Sequence, residues 1–222
     1  MASSAPRIIT IDGPAGAGKT SVSRRAAGRL GLAYLDTGAM FRALALALGP
    51  GGHALPEAHI RARLGAMTFA LTGSGADTVL LVDGAPLPDA ARTEEVGGWA
   101  SNLAVLPVVR ESLRQAQQAL GRSADLLAEG RDMGTVVFPG ASCKIFLTAS
   151  PEVRADRRVR QLAALGKPAD HEEILAAIRR RDDQDRNRTT APLVPADDAL
   201  IIDTSELTED AVVERIVAAA TA

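Results

Sequence analysis

A glycine-rich segment followed by a lysine and two hydroxyl residues is the part of the sequence that most clearly predicts chemistry. Gly13, Gly18, Lys19 and Thr20 fit the pattern G-x-x-x-x-G-K-[ST], in which loop backbone surrounds a polyphosphate. Lys19 is expected to reach the β- and γ-phosphates, and the Thr20 hydroxyl to hold Mg²⁺. The residues predicted to bind a nucleoside triphosphate are Gly13, Pro14, Ala15, Gly16, Ala17, Gly18, Lys19, Thr20 and Ser21.

Such a loop needs a strand before it and a helix after it. An apolar β-branched run occupies residues 8–11, and a helix-compatible segment occupies residues 22–30. Glycines let N–H groups approach the phosphates closely, and the helix adds unpaired N–H donors and the positive end of its dipole. A glycine-rich turn that matches by chance is the alternative, and the flanking strand and helix argue against it.

The remaining chain alternates strands with helices over most of its length. Strands are predicted near residues 8, 34, 127, 145 and 201, with helices between them. Right-handed crossovers then give an α/β fold of the P-loop NTPase type, a five-stranded parallel sheet with helices on both faces. Thr37 is predicted to cap a helix over residues 39–48.

The predicted secondary structure changes after residue 60, where strands joined by short turns replace the alternation of strands and helices. Two strands and a possible third edge over residues 66–87 indicate a β-rich insert. The insert is predicted to span residues 60–105, and the α/β core to continue on either side of it.

Arginines recur at the carboxyl ends of the predicted strands or on the late helices: Arg42, Arg110, Arg131, Arg157, Arg158, Arg181 and Arg188. So many guanidinium groups suit two phosphorylated ligands that face each other. On the late helix, Ile174, Ile178, Arg181, Asp185 and Arg188 form one stripe that begins apolar and becomes ionic. A salt-bridged helix end is the alternative, but the charges continue the buried line, which favours a binding site.

These features favour phosphoryl transfer among the reactions open to a bound triphosphate. A phosphate oxygen that attacks the γ-phosphoryl group is already anionic, so charge neutralisation and in-line placement suffice without a strong general base. The sequence also shows no serine, histidine and acid set. Hydrolysis by a nucleotide-dependent switch, or transfer to some other small acceptor, remains open from the residues alone.

The composition argues against several other classes of protein. The 222 residues are 46% hydrophobic and 3% aromatic with a net charge of -2, which favours neither general nucleic-acid binding nor a base-stacking platform. One cysteine cannot form an internal disulfide, and the chain shows neither a signal-peptide core nor an apolar run of membrane-spanning length. We therefore expect a cytoplasmic monomer that binds small molecules, with neither nucleic-acid polymer nor membrane as a partner.

Four segments together resemble one family, the bacterial cytidylate kinases. They are residues 11–19 (IDGPAGAGK), 36–42 (DTGAMFR), 129–139 (EGRDMGTVVFP) and 181–188 (RDDQDRNR). The first is common to many phosphate-loop proteins, whereas the other three, in this order, are specific. The resemblance extends from Ile8 to the last helix.

The resemblance implies ATP-dependent phosphorylation of CMP and dCMP to CDP and dCDP, with Mg²⁺, by direct in-line transfer of the γ-phosphoryl group. It also implies a core in three parts (1–59, with the phosphate loop at 13–21, then 106–153 and 171–222). An insert for the nucleoside monophosphate (60–105) and a short lid region (154–170) interrupt this core. Catalytic roles then fall to Lys19, Arg131, Arg157, Arg158 and Arg181, and Thr20 contacts the metal. The residues expected to bind CMP are Thr37, Arg42, Ser101, Arg110, Arg131, Asp132, Arg181, Asp185 and Arg188.

Among these residues, Arg42 and Arg131 are expected to hold the acceptor phosphate, and Asp185, with Arg181, to meet the sugar. Ser101, Arg110, Asp132 and Arg188 are expected to surround the cytosine. Cytosine presents an amino donor beside ring-nitrogen and carbonyl acceptors, so a carboxylate next to guanidinium donors matches its edge. Uracil reverses the amino position, which predicts strong discrimination.

Overall fold

A computed structural model describes the fold of residues 6–222. Its strands are β1 (Ile8–Asp12), β2 (Ala33–Asp36), β3 (Phe69–Thr72), β4 (Val79–Val82), β5 (Ala85–Pro86), β6 (Leu126–Gly130), β7 (Cys143–Thr148) and β8 (Leu200–Asp203). Its α-helices are α1 (Lys19–Leu30), α2 (Thr37–Leu48), α3 (Glu57–Ala66), α4 (Glu94–Leu103), α5 (Pro107–Ser123), α6 (Pro151–Ala164), α7 (His171–Asn187) and α8 (Glu209–Thr221).

The predicted five-stranded parallel sheet is confirmed. Its strand order is β2-β6-β1-β7-β8, and the neighbours β2 and β6, β1 and β7, and β7 and β8 pair in parallel. Strand β6 is buried along its whole length, and so is β1 after Ile8. Such continuous burial is typical of parallel strands with both faces covered. The predicted antiparallel strands are confirmed as a separate sheet of order β3-β4-β5.

The described chain divides into two compact units. The first contains residues 6–8 and 27–129, and the second contains residues 9–26 and 130–222. In the first unit the three-stranded sheet is fastened to β2 because the Tyr34 N–H donates to the Thr78 hydroxyl at 3.1 Å. The second unit has its own apolar core, which includes Ile9, Ile11, Ile145 and Ile216.

Two local predictions require correction. Asp36, rather than Thr37, caps α2, because its carboxylate accepts the Ala39 N–H at 3.1 Å while Thr37 is already the first helical residue. The Thr37 hydroxyl donates instead to the carbonyl of Glu129 at 2.7 Å. Ala66, predicted to begin a strand, ends α3, and its strand begins at Phe69.

The segment after Asp132 forms one turn of π-helix over Met133–Val137. The N–H of Phe138 donates to the Met133 carbonyl at 2.7 Å, a bond five residues apart. Such turns occur frequently at functional sites. Within residues 6–222, the structure contains no helix long and apolar enough to cross a membrane.

Candidate active site

The glycine-rich loop between β1 and α1 has a backbone conformation that requires glycine at particular positions. Gly13 has φ = 148°, and a Cβ on it would lie 2.1 Å from the carbonyl oxygen of Leu147 in β7. Gly16 and Gly18 also have positive φ, at 79° and 85°. The loop leads directly into α1, so the unpaired N–H groups of that helix follow it at once.

Lys19 is the first residue of α1, and its side chain folds back over the loop. The residue is 8% exposed, and its Nζ donates to the carbonyl oxygens of Gly13 and Pro14, each at 2.8 Å. Its positive charge therefore lies against the loop backbone, where the sequence predicts a polyphosphate. Thr20 follows it and is exposed.

Asp12, the last residue of β1, connects the loop strand with the π-helical turn. Its carboxylate accepts the N–H groups of Met133 and Gly134, each at 2.8 Å. Burial raises the pKa of Asp12 to about 6, although these two N–H groups and the charge of Lys19 lower it. The contact fixes the backbone that immediately follows Asp132, a predicted base-binding residue.

Four predicted CMP-binding residues form a charge network within the second unit. Arg131 Nε donates to Asp185 Oδ2 at 3.0 Å, and Asp185 Oδ1 lies 3.8 Å from Arg188 Nη1. Arg188 Nη2 in turn lies 3.6 Å from Asp132 Oδ1. Their side chains are between 7% and 21% exposed, so the charges alternate in sign in a largely desolvated environment. Such a network presents both donors and acceptors to a polar ligand.

The predicted catalytic arginines of the second unit differ in their surroundings. Arg157 donates to the carbonyl of Thr204 at 2.5 Å and to its hydroxyl at 3.1 Å, and burial lowers the pKa of the Arg157 guanidinium. Arg158 donates to Gln161 on its own helix at 2.6 Å. Arg181 is partly buried on α7, on the same stripe as Asp185.

The predicted residues of the first unit lie on or next to its helices. Arg42 Nη1 donates to the carbonyls of Ala91 and Thr93, each at 3.1 Å, just before α4. Ser101 is half-buried on α4, and Arg110, only 9% exposed on α5, donates to the Ala104 carbonyl at 3.2 Å. Thr37 is buried at the start of α2.

The sequence assigned no role to four buried charged residues: Asp12, Glu129, Arg154 and Asp182. Asp12, Glu129 and Asp182 lie within the segments that carry the family resemblance, and Arg154 lies in the predicted lid region. One available signal was the spacing of Leu175, Ile178, Asp182 and Asp185, which also follows a helical face.

The donor set fits a nucleotide-bound Mg²⁺ better than a metal held by protein alone. An exposed Thr20 hydroxyl beside the loop is a suitable oxygen ligand, and Mg²⁺ takes few protein ligands when it also binds phosphates. Residues 6–222 contain no cluster of three His, Cys, Asp or Glu side chains that could hold a metal ion.

The comparisons with a family model and with known proteins all indicate the same family. Residues 9–222 match the family model described as cytidylate kinase. A cytidylate kinase of Nitratidesulfovibrio vulgaris (strain Hildenborough) is 54% identical over 206 residues, which are 93% of this chain and 89% of that protein. That of Maridesulfovibrio salexigens is 51% identical over 212 residues (96% and 95%), and that of Pseudomonas aeruginosa (strain UCBPP-PA14) is 46% identical over 214 residues (95% and 93%). The similarity thus includes both units.

Proposed function

The chain belongs to the cytidylate kinase family, and from this premise we propose that it transfers the γ-phosphoryl group of ATP to CMP and dCMP. The products are ADP with CDP or dCDP. The observation that carries the proposal is the network of Arg131, Asp185, Arg188 and Asp132, because the resemblance assigns all four to CMP. A chain that only hydrolysed ATP would need no such set.

The loop residues 13–21 bind the phosphates of ATP through backbone N–H groups and the first turn of α1. Lys19, whose Nζ donates to the Gly13 and Pro14 carbonyls, exchanges them for β- and γ-phosphate oxygens. Thr20 would hold Mg²⁺ together with phosphate oxygens. Bound in this way, the ion supplies neutralisation of the charge that develops on the transferred group.

The acceptor phosphate of CMP is bound by Arg42 and Arg131, which also neutralise its charge as it approaches the γ-phosphoryl group. Its oxygen attacks in line, so the protein contributes placement and electrostatic stabilisation and needs no general base. Arg157, Arg158 and Arg181 add positive charge around the transferred group. The carboxylate of Asp185, with Arg181, accepts the sugar hydroxyls, and Thr37 lines the acceptor side.

The cytosine is recognised by Ser101, Arg110, Asp132 and Arg188. Asp132 is 5% exposed, so its carboxylate would face a uracil carbonyl without water to separate them. An unfavourable buried contact of this kind discriminates strongly between ligands. We also propose a monomeric cytoplasmic enzyme, consistent with a single cysteine that cannot form an internal disulfide.

We expect Asp132→Ala to lower the ratio of kcat/KM for CMP to that for UMP by about tenfold or more, the effect of one buried charged hydrogen bond. Asp183→Ala removes an exposed carboxylate of α7 and should leave the ratio unchanged. Steady-state kinetics with CMP and with UMP measure this ratio. An unaltered ratio in Asp132→Ala would refute the assignment of this residue to the base.

The function itself is tested by following ADP formation with CMP, dCMP, UMP, AMP or GMP as the acceptor. We expect rapid ADP formation with CMP and dCMP and far slower formation with the other three. A preference for another acceptor would indicate a different phosphate-loop kinase. Slow ADP formation that no acceptor changes would indicate a nucleotide-dependent switch and would exclude the proposal.

A further inference from the structure

Arg154, at the start of α6, is a fully buried arginine that contacts the phosphate loop. It is 1% exposed. Its Nε donates to the Ala149 carbonyl and its Nη1 to the Ala15 carbonyl, both at 3.0 Å. The same guanidinium binds both carboxylate oxygens of Asp182 on α7, with Nη1 to Oδ1 at 2.9 Å and Nη2 to Oδ2. One buried group thus joins the loop to α7.

The contact with Ala15 determines how one peptide of the loop is oriented. In a trans peptide the C=O and the following N–H point in opposite directions. Because the Ala15 carbonyl points to Arg154, the Gly16 N–H points to the opposite side of the peptide. A Cβ on Gly16 would lie 3.2 Å from Cβ of Arg154, so the backbone here packs directly on that side chain.

We propose that Arg154 is a positioning residue for ATP, which keeps the Gly16 N–H available to the phosphates by binding the Ala15 carbonyl, and that Asp182 holds its guanidinium in place. The inference rests on the proposed function, since it takes ATP as the loop's ligand. Without Arg154 the Ala15–Gly16 peptide is free to turn and present a carbonyl oxygen to the phosphates. An oxygen in that position repels the anion that the N–H would bind.

A double variant separates positioning from stability. Arg154→Met alone would leave the Asp182 carboxylate buried without its partner, which is strongly destabilising. Arg154→Met combined with Asp182→Leu replaces the pair by apolar groups of similar volume, a change that proteins often tolerate. We expect a melting temperature close to that of the original protein but a Kd for Mg-ATP raised by roughly tenfold to a hundredfold, as for a lost charge-assisted hydrogen bond. The Kd for CMP should change by less than about twofold.

Isothermal titration calorimetry with Mg-ATP and, separately, with CMP measures these affinities. The matched control is Arg179→Ala, which breaks the exposed ion pair with Glu152 that joins the same two helices at 2.7 Å without touching the loop. It should leave both affinities unchanged. If the double variant does not fold, Arg154→Lys provides the second test, because an ammonium lacks the fork that binds two carboxylate oxygens and a carbonyl together. Its Kd for Mg-ATP should rise about fivefold or more.

Two outcomes would overturn the inference. Folded variants that bind Mg-ATP as tightly as the original protein would show that the loop does not depend on Arg154. An equal loss of ATP and CMP affinity would show that the pair only stabilises the unit as a whole. Failure of the proposed function looks different, since the unsubstituted protein would then bind Mg-ATP without phosphorylating CMP.

Discussion

Replacing Lys19 by alanine is expected to lower kcat by roughly a hundred- to a thousandfold, the loss seen when one positioned charge-stabilising donor is removed. The buried Nζ already lies at the loop, 2.8 Å from two of its carbonyls, so it need only change partners when the phosphates bind. Its charge then stabilises the γ-phosphoryl group as that group is transferred. Coupled measurement of ADP formation at saturating ATP and CMP gives kcat directly.

The matched control is Lys144→Ala. Lys144 also has a largely buried side chain, 9% exposed, but its Nζ pairs with Asp198 at 2.9 Å. Its removal costs an ion pair and packing without removing a charge from the loop, and we expect kcat within about threefold, consistent with the modest value of a pair whose partner is exposed. Near-normal turnover in Lys19→Ala, or an equal loss in both variants, would contradict the role of Lys19.

The sequence predicted best those parts of the fold in which residue types dictate local geometry. The β-branched run, the glycines and the lysine of residues 8–21 specify a strand, a loop with positive φ and a helix start, and the structure contains all three. Asp170 and Thr208 cap α7 and α8 as such residues commonly do. Boundaries were less predictable, since α1 begins at Lys19 instead of near residue 22.

The sequence could not show which group each polar side chain would hydrogen-bond or pair with. Asp36 and Thr37 can both cap a helix, and only the position of the Glu129 carbonyl, 92 residues away, gives the Thr37 hydroxyl another acceptor. The same reason applies to Arg154. The resemblance placed it in the lid region, but no sequence pattern indicated that the fold buries it against Asp182.

In the candidate site, too, the sequence identified the residues but not the contacts between them. Residue types and the resemblance indicated Arg131, Asp132, Asp185 and Arg188 as a set. Spacing on α7 placed Asp185 and Arg188 together, but it said nothing of Arg131 or Asp132, which lie beyond β6. The turn that follows them is held by Asp12, whose carboxylate accepts backbone N–H groups of Met133 and Gly134, a contact that no sequence pattern identifies.

Gly13→Ala is the second substitution from which we expect a large effect. An added Cβ would lie 2.1 Å from the Leu147 carbonyl oxygen and 3.1 Å from its carbon, both backbone atoms of β7 that no side-chain rotation can move away. Overpacking of this kind costs about 3 kcal/mol or more. For a chain of this length that corresponds to a fall in melting temperature of roughly 6–12 °C. Thermal unfolding without nucleotide measures it, and ATP binding should be lost as the loop is displaced.

Gly31→Ala is the control that introduces backbone strain without a clash, so the difference between the two variants measures the clash. Gly31 also has a positive φ, 68°, but no heavy atom lies within 4 Å of the position that its Cβ would take. Its substitution therefore introduces backbone strain alone, which costs about 1 kcal/mol and lowers the melting temperature by roughly 2–4 °C. If the two variants lost the same stability, the close approach of the loop to β7 would not be what requires glycine at position 13. A greater loss in Gly13→Ala, together with weaker ATP binding only in that variant, would show that this strand shapes the phosphate loop.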